Sequence, residues 1–386
     1  MLQIGVMLPR SNMFPAIGID ILAGIRSCLK KAGLTNEVKI ASANIGFGLD
    51  DAEIYSKAEK FILEDDVDIL LVVADAPISE MVAPLCVSAN KLLIMVNFGA
   101  NFPDNWQPAD TVIQHSLNFS FLTRLTGQLA AKEANCKQTP YIVSYMDAGY
   151  RQCFSLMHGH QLAGGEACFT HVTHTSRDPF TLQALEEYLD AHPGTDAVLA
   201  LFAGDMAAEF YDAMVGIGTK TPLTVYAGPM LLDSSVKQNE GVTLQMPDVK
   251  GYSSWIPELT NENNLSFTGQ VKNDTGKSAS IFHVLGWDTG LLLDAILQQY
   301  AKGVTDPRSI ITALAEKIYP SPRGWMKLDP ATQYTYSSNW LVELKGDREI
   351  QAITENKQVE EDWKSFTSDP FPPGDHSYWR NTYLCI

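Results

Sequence analysis

The sequence predicts an α/β protein built as two similar doubly wound parallel-sheet lobes, and three observations carry that expectation. The chain has 386 residues, too many for one ordinary core when a domain commonly holds about 150. Strand-like apolar runs alternate with helical periodicity from residue 2 to 97, and the alternation restarts from about 120 to 228. The strand runs are apolar throughout, as expected of parallel strands covered on both faces.

The first alternation opens with "LQIGVML" as a strand and residues 16–32 as a helix, where Ile21, Leu22, Ile25, Cys28 and Leu29 recur at helical spacing. Lys30 and Lys31 followed by Gly33 mark its C-terminal stop. "VKIASANIG" is the next strand, 51–64 a helix, "DILLVVA" a strand, 79–89 a helix and "LLIMVN" a strand. After the polar stretch "GANFPDNWQPAD", helices are expected near 120–134, 150–163, 179–191 and 205–217, with the strands "YIVSYM", "ACFTHVTH", "AVLALF" and "LTVYAG" following them in turn. The last third is less regular: helices over about 280–302 and 306–317, then "GWMKLDP", then two short strand runs in "NWLVELKGDREIQAI" parted by Gly-Asp. This region completes lobes already begun.

The composition, 45% hydrophobic and 19% charged, is that of a soluble globular chain. No stretch reaches the roughly 18 apolar residues of a membrane span. The net charge of −17 repels phosphate backbones and anionic bilayers, so nucleic acid is not an expected partner. Cys28, Cys86, Cys136, Cys153, Cys168 and Cys385 show neither CxxC pairing nor metal-ligand spacing and are expected to be buried free thiols. Met1 leads directly into a strand without a basic region or small-residue cleavage site, which fits either a cytoplasmic protein or a chain whose signal has been removed.

Catalytic signatures are missing: there is no P-loop, no GxGxxG after a strand, no HExxH and no GxSxG elbow. His158 and His160 lie two apart on a helix and face different ways, and His171 and His174 point to opposite faces of a strand, so neither pair suggests a metal site. No catalytic residues, metal or cofactor are therefore expected.

The segment "IGVMLPRSNMFPAIGIDILAGI" resembles the opening strand, ligand loop and first helix of the type I periplasmic binding proteins, in the leucine/isoleucine/valine-binding branch of ABC-transporter substrate-binding proteins. "DILLVVADAPISEMVAPLCVSANKLLIMVNFGAN", "PYIVSYMDAGYRQCFSLMHGHQLAGGEA", "DAVLALFAGDMAAEFYDAMVGIG", "GWDTGLLLDAIL" and "RGWMKLDP" follow in that family's order and spacing. The resemblance implies two α/β lobes joined by three crossing segments, near 114–121, 244–253 and 319–331, with a ligand in the cleft between them. Lobe 1 would combine 1–117 with 250–325, and lobe 2 would combine 118–249 with 326–386.

In open parallel sheets, ligands gather beyond the carboxyl ends of the strands. Ser79 stands there at a helix start, where it either caps the helix or joins the backbone N–H groups in gripping a carboxylate. Asn97, Ala100 and Asn101 close the strand end "VNFGAN"; the two asparagines are either turn residues or headgroup ligands. Arg10 and Ser11 lie in the loop that the resemblance turns toward the cleft, and the Arg10 guanidinium either faces solvent or holds a carboxylate by a bidentate pair.

In lobe 2, Tyr150 matches the family's tyrosine at a helix start, a cleft wall or else a core residue, although Arg151 replaces the usual glycine. Phe202, Gly204 and Asp205 end another strand, and Asp205 either caps its helix or faces a ligand ammonium. Met230 occupies the region where amino-acid binders of this family carry a glutamate for the ligand α-amine. A buried ammonium needs a compensating acid, so Arg10 and Met230 together shift the expected ligand from a standard branched-chain amino acid toward another small carboxylate or polar molecule.

The expected function is that of an extracytoplasmic solute-binding protein that closes two lobes on an amino acid or related small carboxylate and presents it to an ABC-transporter permease, as a monomer or weak dimer. The alternative is a cytoplasmic amide or amino-acid sensor on the same scaffold.

Overall fold

The computed structural model describes residues 1–107, 109–135, 137–144, 149–173, 180–218, 222–233, 246–346 and 348–369. The chain divides into two compact units. Met1–Leu117, Trp255–Ser338 and the stretch from Glu360 onward form unit 1, while Asn118–Ser254 and Asn339–Val359 form unit 2.

Unit 1 begins with β1 (Leu2–Leu8), α1 (Ile17–Lys31), β2 (Val38–Asn44), α2 (Asp51–Glu59), β3 (Ile69–Val73), α3 (Ala76–Ala89), β4 (Leu92–Asn97) and β5 (Val112–Ser116). Its five strands are parallel in the order β2-β1-β3-β4-β5. Every residue of β3 and β4 is buried, which accounts for their unbroken apolar sequence. Edge strand β2 instead alternates between half-buried and exposed positions. Asp50 caps α2 by accepting from the Glu53 N–H at 3.0 Å.

Unit 2 repeats the plan with α4 (Phe119–Glu133), β6 (Gln138–Ser144), α5 (Gly149–Leu162), β7 (Glu166–Thr173), α6 (Gln183–Ala191), β8 (Ala197–Leu201), α7 (Gly204–Gly218), β9 (Thr224–Ala227) and β10 (Asp248–Ser253). Its parallel strands run β7-β6-β8-β9-β10, the strand order of unit 1 over again. In both, the order reverses beside the first strand, and a doubly wound sheet opens its ligand crevice at that switch point.

Unit 1 resumes with α8 (Glu262–Thr275), α9 (Ile281–Ala301), α10 (Pro307–Ala315) and the hairpin β11 (Met326–Leu328) and β12 (Thr335–Ser337). Then β13 (Trp340–Leu344) and β14 (Ile350–Glu355) add two antiparallel strands to the unit 2 sheet beside β10, and α11 (Val359–Ser368) follows. One device recurs in each unit: two helices approach until only glycine fits. A Cβ on Gly24 of α1 would lie 2.3 Å from the His283 carbonyl of α9, and one on Gly127 of α4 would lie 2.1 Å from the Leu156 carbonyl of α5.

The boundaries differ from the expected lobes in three places. Residues 250–254 belong to unit 2, because β10 pairs with β9 and β13 there. Residues 326–338, expected in lobe 2, belong to unit 1, where Tyr334 forms a parallel bridge with Gln114 and extends the β5 edge. Helix α11 also joins unit 1, adding a fourth passage at 359/360. Its Trp363 indole donates to Asp329 at 3.0 Å and packs edge-on against Trp106, while Phe366 meets Phe102 at 5.2 Å.

The expectation of buried thiols holds for Cys28 and Cys86, but Cys153 is half-buried and Cys168 is exposed; all four are free. Cys168 lies on edge strand β7, which alternates toward solvent. Cys136, Cys385 and His174 fall outside the described residues.

Candidate functional site

At the carboxyl end of β1, Pro9, Arg10 and Ser11 turn the chain toward α1. The Ser11 hydroxyl accepts from the Phe14 N–H at 3.0 Å, and the Arg10 N–H donates to the Gly46 carbonyl at 2.6 Å, so the β1 loop is tied to the loop after β2. With its backbone fixed, Arg10 sends an exposed guanidinium outward that has no partner among the described residues. It lines a groove of about 900 Å³ with Ser11, Asn12, Asn44 and Phe47.

At the carboxyl end of β4, Asn97 is 2% exposed. Its Oδ1 accepts from the Gly99 N–H at 2.9 Å, and Gly99, at φ +69°, supplies the left-handed turn. The Asn97 Nδ2 is buried with no hydrogen-bond partner. Leaving such a donor unsatisfied costs about 1–3 kcal/mol, so a native structure keeps it for a reason. Ala100 and Asn101 are buried just beyond it. Phe14 and Phe98 both pack edge-on against Phe282, at 5.2 and 5.8 Å; Phe98 and Phe282 are buried, and Phe14 is half-buried.

Ser79 lies elsewhere than at a helix start. Helix α3 begins at Ala76, with Asp75 as N-cap and Pro77 in the first turn, so Ser79 is one turn farther in. The Ser79 Oγ accepts from Gln114 Nε2 on β5 at 2.9 Å and borders a small flank pocket of about 100 Å³ shared with Trp106 and Tyr334. The dipeptide Asp75-Ala76 takes the strand-to-helix position that the sequence pattern gave to Ser79.

In unit 2, Tyr150 opens α5 and is 42% exposed. Gly204 starts α7 at φ +53°, and Asp205 in its first turn is exposed, as a carboxylate at a helix N-terminus prefers. Phe202 turns inward, stacked on Phe210 at 4.6 Å and edge-on to Phe180 at 5.8 Å. Met230 is 5% exposed in the short 3₁₀ turn Pro229–Leu232.

Sequence reasoning missed a buried network in unit 1. Arg323 Nε donates to Asp288 Oδ2 at 2.8 Å and its Nη1 to the Ser116 carbonyl at 3.2 Å, while Ser321 Oγ donates to the same carboxylate oxygen at 3.0 Å. Neither charged side chain has any exposure. Burial raises the Asp288 carboxyl above its ordinary range, with Arg323 opposing that shift, and burial lowers Arg323. His115 lies alongside, with its ring nitrogens 2.9 Å from Thr335 Oγ1 and 3.1 Å from the Leu285 carbonyl. An aspartate within the apolar stretch "VLGWDTGLLL" was the available signal. Among the described residues no cluster of His, Cys, Asp and Glu could hold a metal ion, and no helix is long and apolar enough to cross a membrane.

A sequence model described as "Periplasmic binding protein" matches residues 1–349. Among solved structures, the chain is similar to an ABC-transporter solute-binding protein from R. palustris in complex with benzoate: TM-score 0.71, 21% identity, covering 91% of this chain and 96% of that one. An ABC-transporter substrate-binding protein from Sphaerobacter thermophilus gives TM-score 0.76 at 16% identity, covering 92% and 97%. A leucine-binding protein from Thermotoga maritima gives 0.65 at 16%, covering 92% and 99%. At these identities the likeness shows the fold. No curated protein matches the chain.

Proposed function

The chain belongs to the periplasmic binding protein family, and on that premise we propose that it is an extracytoplasmic solute-binding protein that captures a small carboxylate and delivers it to an ABC-transporter permease. Capture proceeds by closure of the two units on the ligand, and no bond is made or broken. The observation that carries this reading is a pair of uncommitted donors at strand ends of unit 1, the buried Asn97 Nδ2 and the Arg10 guanidinium. Both suit a carboxylate, and a charge-assisted hydrogen bond to either is among the stronger polar contacts available.

Ser11, Ala100 and Asn101 complete the contact set from unit 1, with Ser79 acting through Gln114. Tyr150, Phe202, Gly204, Asp205 and Met230 supply the unit 2 side, with Tyr150 exposed for contact, Phe202 and Met230 as apolar backing, and Asp205 held to the N-terminus of its own helix in the absence of a ligand ammonium. An α-ammonium would find a thioether at Met230 in place of an acid, so carboxylates without an amine are preferred over amino acids. The benzoate held by the R. palustris relative is of that class, and the half-buried ring of Phe14, backed by Phe282, suits such a ring.

The test is a thermal-shift panel of leucine, isoleucine, benzoate and 4-hydroxybenzoate on protein stripped of co-purified ligand by unfolding and refolding. A ligand at 100 times its Kd stabilises by about 2.7 kcal/mol and raises Tm by several degrees. Benzoate or 4-hydroxybenzoate is expected to respond above leucine, and Asn97→Ala to abolish the shift. Silence across the panel overturns the reading.

A further inference from the structure

The groove of about 900 Å³ extends beyond the Arg10 loop along the outer face of α1. Three cations line it, Arg10, Arg26 and Lys30, against one carboxylate, Asp274. Lys30 Nζ pairs with Asp274 Oδ1 at 2.5 Å, which leaves the two guanidiniums as its unbalanced charges. Arg26 is exposed and, like Arg10, has no partner among the described residues. A doubly positive groove is the opposite of what the net charge of −17 would place there by chance.

Between the guanidiniums the surface is apolar. Ile19 is 69% exposed, and Leu22 and Ala23 continue its stripe one helical turn on. The Arg10 loop reaches α1 at Gly18, where a Cβ would lie 3.2 Å from the Pro9 carbonyl. From Gly18 to Arg26 the helix rises about 12 Å. Two cations separated by an apolar stripe on a rigid helix complement a molecule with an acid at each end and a hydrocarbon spacer.

We propose that this groove binds α,ω-dicarboxylates, one acid on Arg10 and the other on Arg26, with the spacer along Ile19, Leu22 and Ala23. The proposal rests on the small-carboxylate reading only in sharing Arg10. At about 12 Å of rise, less what two long side chains take up, the spacer is roughly six to eight carbons, the size of suberate or sebacate.

Titration calorimetry of the refolded, ligand-free chain with suberate and octanoate tests it. Suberate is expected to bind at least about tenfold more tightly, the equivalent of one additional charge-assisted contact. Arg26→Gln should erase that preference and leave octanoate unchanged, and Arg10→Gln should weaken both. Because Arg26 is exposed, loss of the fold would show as a lowered Tm of unliganded Arg26→Gln, and Arg26→Lys should then restore part of the preference. Suberate no tighter than octanoate, or suberate binding indifferent to Arg26→Gln, overturns the proposal. Benzoate binding without suberate discrimination removes the groove and leaves the small-carboxylate reading standing. Suberate binding that depends on Arg26, with the thermal panel silent, upholds the groove and removes that reading.

Discussion

Arg323 and Asp288 share a site with no solvent, and the Asp288 Oδ1 is left without a hydrogen bond. Such a pair contributes little net stability over an apolar substitute but is costly to break from one side. Asp288→Asn or Arg323→Met is therefore expected to destabilise unit 1 by about 3–5 kcal/mol, and Asp288→Leu combined with Arg323→Met by clearly less than the two single changes together. Urea denaturation of the three variants against the unchanged protein checks this. His115 gives a second residue-scale expectation. Burial, with Arg323 nearby, holds its imidazole down at about 3, although its contact with the Leu285 carbonyl opposes the shift. The unfolded chain takes up a proton near the ordinary value of about 6.5 while the folded chain refuses it, so stability falls as pH drops from about 6.5 to about 3. Buried His160 and His283 are lowered as well and act in the same direction. His115→Gln should flatten the fall in urea midpoint over that window; an unchanged slope would acquit His115.

At the scale of elements, glycine decides how closely helices meet. A Cβ on Gly286 would lie 2.0 Å from the Ile21 carbonyl, on the rigid backbone of α1. Gly286→Ala is expected to cost about 1–3 kcal/mol through overpacking, despite the better helix propensity of alanine, as measured by thermal unfolding. The element pattern itself was largely legible: β1, β4, α1, α5 and α9 fall within a residue or two of the spans read from periodicity. The exceptions have physical causes. Helix α3 starts three residues before its expected position because Asp75-Ala76-Pro77 is a favourable helix opening as well as a turn, and that shift carries Ser79 from the helix start to the side of β5. Helix α8 has few apolar residues, with only Asn264, Phe267 and Val271 buried, so it gave no stripe to read. Asn97 was legible as either a turn residue or a ligand contact, whereas Gln114 read as an ordinary polar residue; which donor or acceptor stays unspent is a property of geometry.

At the scale of the whole molecule, the repetition of one α/β plan in two units was readable from alternation alone, whereas the strand order and the assignment of the last third were not. Contacts distant in sequence settle it: Tyr334 with Gln114, and Trp363 with Asp329. Removing the indole with Trp363→Ala is expected to cost about 3–5 kcal/mol and to detach α11 from unit 1; hydrogen exchange resolved by segment would show the loss at 102–106 and 326–337 and spare unit 2.

The insertion of unit 2 within unit 1 also governs when the protein can fold during its synthesis. The glycine-lined face of α1 has α9 as its partner, and roughly 260 residues separate Gly24 from Gly286. At ordinary elongation rates the ribosome takes on the order of 13–50 s to cover that distance. For all of that time Ile21, Ile25 and Cys28 of the nascent α1 wait without their cover. A ribosome-bound chain stalled before residue 281 should thus be cut readily by protease within α1, and one released after residue 338 should resist.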